Sequence, residues 1–315
     1  KYIMKRLGLM LMTFLIIMIM CFVLIKLLPI VINVSIGQDA DIIKAQIEAR
    51  GYYDPIPVQF INYIRRIFQG DFGIGVNMPE YRNQPVLDVF LEKLPPTILI
   101  NIYSVLISVP IGLGLGILAA LKKNKWQDHT ISTAVMIVIS VPSYVYAFII
   151  QYLLCFELGW FPLTMNSGYD YASPSMFLSM LPAVFSLCFG SIAGYARFTR
   201  AELTEVLTSE FMLLARTKGL TRSQATVRHA LRNAMVPIFP MIIGEFISVL
   251  SGSLVIEKIF SIPGVGKLYL DSINTQDYDF FMMLSGFYTF VGLAAGIVID
   301  ISYGIIDPRI RMGAK

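Results

Sequence analysis

An all-helical, polytopic membrane protein with six transmembrane helices is the fold class this sequence predicts. Three observations predict it. Hydrophobic residues fill 56% of the 315 positions and charged residues 15%, against about 45–50% and about 25% in a typical soluble domain. Six separate apolar stretches reach the ~20 residues a helix needs to cross a bilayer. Lysines and arginines gather on alternate connections between those stretches. This composition excludes a disordered chain, a collagen-like one and an ordinary water-soluble enzyme. A net charge of +4 gives no general nucleic-acid affinity, so no nucleic-acid partner is expected.

The first span is read at Leu7–Leu28. It follows Lys1, Lys5 and Arg6, as a secretory signal would, but exceeds the usual apolar core of about 7–15 residues, and no A-x-A-like site follows. It is therefore expected to be retained. Because residue 1 is lysine, an initiator is expected to have been lost. The long connection 29–93 has a soluble-like pattern. Asp41–Arg50 reads as an amphipathic helix ended by Gly51. Val58–Phe68 then sets Phe60, Ile61, Ile64, Ile67 and Phe68 at helical spacing. Turn residues crowd GDFGIGVNMPEYRNQP, and the whole is expected to form a small subdomain. The remaining spans are read at Leu94–Leu121, Thr130–Phe156, Met176–Ala196, Ala234–Ile256 and Phe281–Ile306.

Orientation follows from the excess of basic residues in cytoplasmic connections. The N-terminal side carries sixteen of the 25 lysines and arginines, including Lys122, Lys123 and Lys125, seven between Arg197 and Arg232, and Arg309, Arg311 and Lys315. Six of the nine on the other side lie in the long 29–93 connection, where charge influences topology least. The N-terminal side is read as the cytoplasm, with both termini in it and 29–93 outside. The domains expected are 1–28, the N-terminus and first span; 29–93, the extracellular subdomain; and 94–315, the core with a cytoplasmic loop 197–235 and tail 307–315.

Within that cytoplasmic loop, Leu203, Val206, Leu207, Phe211 and Leu214 form one apolar stripe on a helix. Gly219 stands where a C-terminal cap favours glycine. Thr221 or Ser223 is available to cap a second helix through Val227, Ala230, Leu231 and Ala234. A basic helical hairpin on the inner membrane face is expected.

No catalytic or metal constellation emerges. Cys21, Cys155 and Cys188 sit in apolar runs without C-x-x-C spacing and read as packing residues. His129 and His229 lack ligand-like partners. SIPGVGKL (Ser261–Leu268) superficially resembles a phosphate-binding loop, but Ser261 replaces its first glycine and Leu268 its hydroxyl residue. The segment also falls on the outer side, so no ATP site is assigned. A carboxylate in hydrocarbon is costly, about 2.5–3.5 kcal/mol for Asp at a helix centre. Glu245, inside the fifth span, is therefore expected to face the bundle interior, as part of a translocation path or as an inter-helix hydrogen bond. Asp300 reads as structural, and Glu157 and Glu257 as lying near the outer interface. Pro110, Pro142, Pro182, Pro237 and Pro240 fall within spans. The G-x-G-x-G run at Gly112–Gly116 fits close helix packing.

Several motifs carry a family resemblance. Arg200–Ile238, with A-R-x-K-G-L at Ala215–Leu220 and H-A-L-R-N-A at His229–Ala234, resembles the EAA loop of ABC importer permeases. It is most similar to the B-type transmembrane subunit of dipeptide/oligopeptide importers. GDFG (Gly70–Gly73), LPPT (Leu94–Thr97), FSIPGVGKLYLDSI (Phe260–Ile273), DY (Asp277–Tyr278) and DPRIR (Asp307–Arg311) extend the resemblance over essentially the whole chain. Two departures stand out. Leu213 occupies the position where the loop's name expects Glu, and the Pro-Gly-Asp-Pro often found after the first span is absent at Pro29–Ile32.

The resemblance implies a type I ABC importer transmembrane fold and a non-catalytic transport subunit in a bacterial cell membrane. It implies a heterodimer with a second homologous permease, two cytoplasmic ABC ATPase subunits that hold ATP and Mg, and an extracellular or periplasmic peptide-binding protein. This chain would bind no cofactor itself. The loop's first helix would seat in an ATPase groove through Leu207, Phe211, Leu213, Leu214 and Ala215, with Arg216 and Lys218 facing acidic groups and Gly219 making the turn. Cargo would be peptides, with nickel chelates or glutathione as alternatives on the same fold. An ion-coupled carrier or channel centred on Glu245 or Asp300 is the remote alternative. Whether 29–93 gates the entrance or docks the binding protein stays open.

Overall fold

The computed structural model describes residues 2–28, 45, 48–49, 51–166, 168 and 170–306. Lys1, most of the helix expected over Asp41–Arg50, and the tail 307–315 with its DPRIR string lie outside the described residues. Among the described residues the α-helices are, in order, α1 Tyr2–Leu27, α2 Ile56–Phe68, α3 Val86–Leu121, α4 Trp126–Ser140, α5 Ser143–Ile150, α6 Pro174–Leu207, α7 Glu210–Thr217, α8 Arg222–Ala225, α9 Leu231–Ala234, α10 Ile238–Ser248, α11 Leu254–Ile259, α12 Val265–Asn274 and α13 Tyr278–Ile306. Pairing between extended segments is limited, among the described residues, to isolated bridges joining Ile74 to Pro85 and Gly75 to Arg82. The fold is all-helical, as the composition requires.

Among the described residues, five stretches are long and apolar enough to cross a membrane: Met4–Leu27, Val86–Leu121, Pro174–Leu207, Ile238–Ile259 and Tyr278–Ile306. A sixth is the pair Trp126–Ser140 and Ser143–Glu157, bent by 97°. Two of the spans, read as single segments containing helix-breaking prolines, are interrupted. At 130–156 the cause is Pro142, which has no N–H for the Val138 carbonyl. The Tyr146 hydroxyl donates to that carbonyl instead. At 234–256 the helix tightens to a 3-10 turn at Val249–Ser251, and Gly252 takes φ +64° before α11 begins. By contrast, α6 continues through Pro182.

The chain divides into two compact units. The first contains residues 1–97, 251–257 and 263–294, so it reaches well beyond the 29–93 segment. In it Met18, Phe22 and Ile25, one face of α1, pack on Tyr63 of α2 and on Tyr278 and Met282 of α13. Phe22 meets Phe60 edge-on at 5.2 Å. The rest of α1 is largely exposed, as a lipid-facing helix should be. A second cluster joins Val86, Val89 and Phe90 to Val265, Leu268, Phe280 and Leu284.

The second unit contains residues 98–250, 258–262 and 295–315. Here α3 approaches α6 closely. A Cβ at Gly112 would collide with Tyr195 and the Ile192 carbonyl, and one at Gly116 with Thr199 and the Ala196 carbonyl. Gly114, between them, meets nothing within 4 Å. Close packing thus accounts for two of the three glycines. Val135 of α4 packs against Ala193 and Ala196. Arg200 donates from Nε and Nη2 to both oxygens of Asp128, the second at 2.9 Å, and Asp128 is 1% exposed.

Candidate functional site

The hairpin at 207–234 lies within the second unit and is built from local signals. The single helix expected from Leu203 through Leu214 is interrupted. α6 stops at Leu207, with Thr208 Oγ1 donating to the Glu205 carbonyl at 3.0 Å and Ser209 Oγ to the Val206 carbonyl at 2.7 Å. The same two carbonyls also accept the Thr208 and Ser209 N–H groups at 3.2 and 3.1 Å, so the last turn tightens in place of continuing the helix. A fresh helix starts at Glu210, an acidic first-turn residue suited to the helix dipole.

α7 ends in a Schellman turn. The Gly219 N–H reaches the Arg216 carbonyl at 3.0 Å and the Leu220 N–H the Ala215 carbonyl at 3.4 Å. Gly219 has φ +89°, a left-handed conformation in which a Cβ is penalised. Thr221, rather than Ser223, caps the return helix. Its Oγ1 accepts from the Gln224 N–H at 3.3 Å while Gln224 Oε1 accepts from the Thr221 N–H at 3.1 Å, a capping box. A π-helical turn over Thr226–Ala230 interrupts this return helix.

The expected contact residues separate into two groups. Met212 and Ala215 are buried with Ala120, Leu203, Ala225, Ala230 and Ala234. Ala215 thus anchors α7 from beneath and is withdrawn from the outer face, because one face of a helix this short must pack on its own hairpin. Leu207 is half-buried against the same cluster. Phe211, Leu213 and Leu214 are 44%, 65% and 54% exposed, and Arg216 and Lys218 are exposed beside them. The Phe211 ring stands edge-on to His229 at 5.6 Å.

Glu245, on α10, is partly buried and accepts a 2.5 Å hydrogen bond from Ser191 Oγ of α6. This supplies the inter-helix bond that was one of its two readings.

In the first unit, motifs far apart in the chain converge. Glu257 is fully buried. Its Oε1 accepts from Thr97 Oγ1 at 2.9 Å, and its Oε2 from the N–H groups of Gly266 and Lys267 at 2.8 and 3.1 Å. Glu257 was expected near the interface, with no partners assigned. The glycine-rich string therefore turns its N–H groups at the start of α12 toward a carboxyl group, as such strings can toward a ligand, but the carboxyl group is the chain's own. Asp277 Oδ2 accepts from the N–H groups of Val76, Asn77 and Met78 at 2.8, 2.7 and 3.1 Å. Burial pushes the Asp277 carboxyl up from its ordinary value, and the three donors pull it back only in part. Asp279 pairs with Arg66 at 3.4 Å. Reading Glu257 from the sequence needed one clue, a lone acid shortly before P-G-x-G. The Asp128–Arg200 pair, 72 positions apart, leaves no local signal.

Residues 112–312 match the family described as binding-protein-dependent transport system inner membrane component. This chain belongs to that family. Similarity to individual members runs end to end. The chain is 33% identical over 319 residues to the dipeptide transport system permease protein DppB of Bacillus subtilis (strain 168), covering 100% of this chain and 99% of the relative. It is 32% identical over 315 residues to the glutathione transport system permease protein GsiC of Escherichia coli (strain K12), covering 99% of each. Among solved structures, a crystal structure of an amino acid ABC transporter with histidines matches with a TM-score of 0.54 and 19% identity, over 68% of this chain and 92% of that one. That likeness concerns the fold alone. As an inner-membrane component of a binding-protein-dependent transport system, the chain is a multi-pass membrane protein of the ABC importer permease class.

Proposed function

We propose that this chain is one of two transmembrane subunits of an ATP-driven importer of di- and oligopeptides. In this reading a second, homologous permease completes the pathway, an outer binding protein delivers cargo, and two cytoplasmic ATPases hold ATP and Mg. Both termini and the 207–234 hairpin lie in the cytoplasm, and 29–93 lies outside. The observation that carries the reading is the end-to-end similarity to a dipeptide permease. The hairpin geometry supports it: α7 offers Phe211, Leu213 and Leu214 outward, rimmed by Arg216 and Lys218, an apolar knob with a basic border suited to an acidic-edged groove. Closure of the ATPases would move the hairpin as a rigid body and reorient the spans, an alternating-access cycle.

Vesicles containing this chain, its co-purified partners and the binding protein should accumulate a labelled dipeptide when ATP is supplied on the hairpin side. Accumulation by the chain alone would overturn the reading. Glutathione is the second cargo reading, favoured by 32% identity over the same length, and competition between unlabelled glutathione and dipeptide in that assay separates the two.

A further inference from the structure

We infer that the groove between α4 and α6 holds an anionic phospholipid, its phosphate against Arg197 and its acyl chain along Ile131, Val135 and Met136. The groove encloses about 340 Å³ and is also lined by Arg200, a volume within the ~300–1,000 Å³ common for small-molecule sites.

Polarity along the groove carries the argument. α4 leaves the Lys122–Lys125 turn and α6 runs antiparallel toward its end at Leu207. Arg197 and Arg200 therefore stand near the charged end, while Val135 and Met136 lie toward the apolar middle of their span. A phospholipid presents the same order, charge first and hydrocarbon second. Asp128 neutralises Arg200. Arg197 is exposed and has no ion-pair or hydrogen-bond partner among the described residues. Lys122, Lys123 and Lys125 add three positive charges near the same membrane face, against Glu202 and Glu205 further along α6, so the mouth of the groove is net basic and complementary to an anionic headgroup. Met136 is 72% exposed, an apolar surface that a free phosphate would leave uncovered and an acyl chain would cover.

The test uses the full-length chain with its co-purifying subunits in mild detergent, titrated with phosphatidylglycerol or phosphatidylcholine and read by native mass spectrometry. Phosphatidylglycerol should be retained preferentially. Arg197→Gln should weaken its retention about fivefold, the equivalent of about 1 kcal/mol for one basic residue at an anionic surface. Phosphatidylcholine retention should not change, and Arg197→Lys should recover most of the loss. Equal retention of the two lipids, or an Arg197→Gln variant that behaves as the parent, would overturn the inference. Full displacement by inorganic phosphate would also overturn it, because the acyl contact would then contribute nothing. Benzoylphenylalanine placed at Met136 should crosslink in native membranes to a lipid. Crosslinking to a second polypeptide instead would assign the groove to a subunit interface.

Discussion

Thr97 and Glu257, 160 positions apart, are joined by a buried 2.9 Å hydrogen bond. The Thr97 hydroxyl also accepts the Val265 N–H at 2.9 Å, so one side chain ties α3 to the carboxylate and to the start of α12. Thr97→Val keeps the shape but removes both bonds. Leaving buried groups unpaired costs about 1–3 kcal/mol, and the melting temperature of the purified protein should fall accordingly. Thr97→Ser should restore it.

Removing Arg200 would take the cationic partner from the buried Asp128 carboxylate, leaving it the Asn124 N–H at 2.9 Å and the Ser132 hydroxyl at 3.3 Å. Breaking a fully buried pair costs roughly 3–5 kcal/mol. Arg200→Ala should cost less than that, because the Arg200 side chain is 35% exposed and water partly screens the pair. Arg200→Lys should lie between the two, since it keeps the charge but loses the two-pronged geometry. Chemical-denaturant midpoints in detergent would rank the three proteins.

A pH response should originate at Asp277. Its carboxyl is raised above the usual value by burial, so the folded state binds this proton more tightly than the unfolded chain. The sign follows from linkage: the contribution is fully present below the unfolded carboxyl value and is lost as pH rises through the folded one. Comparing wild-type and Asp277→Asn melts from pH 7 to pH 4 isolates it. Wild type should gain on the variant as pH falls, and parallel curves would reject the assignment.

Gly219→Val forces a branched side chain into a left-handed turn, a penalty of about 1–2 kcal/mol. The turn is exposed and a Cβ there meets nothing within 4 Å, so membrane insertion and expression should survive while ATP-driven uptake falls sharply. Under the proposed function, Leu213→Asp, on the outer face of α7, should reduce co-purification of ATPase subunits without lowering thermal stability. Ala215→Asp should lower stability, because Ala215 is buried.

Glu245→Gln retains an acceptor for Ser191 and removes the charge. Uptake should change while assembly, followed by co-purification of partners, stays intact. Unchanged uptake would leave Glu245 as a packing bond between α6 and α10.

Apolar run length alone determined that this is a polytopic helical protein, because a span must satisfy its backbone within itself. The glycine at the end of α7 was equally legible, since helix caps are local chemistry. Residue order could not show the interruption at Thr208–Ser209, which turns Met212 and Ala215 inward and leaves Leu213 outward. Neither could it show the 97° bend after Ser140, the Thr97–Glu257 bond or the Asp128–Arg200 pair. The first two rest on local bonds that compete with helix continuation, Thr208 and Ser209 to carbonyls three residues back and Tyr146 to Val138, and the outcome of that competition is settled by packing. The last two depend on which distant group arrives to meet a buried charge, about which a linear pattern contains no information until the helices have packed.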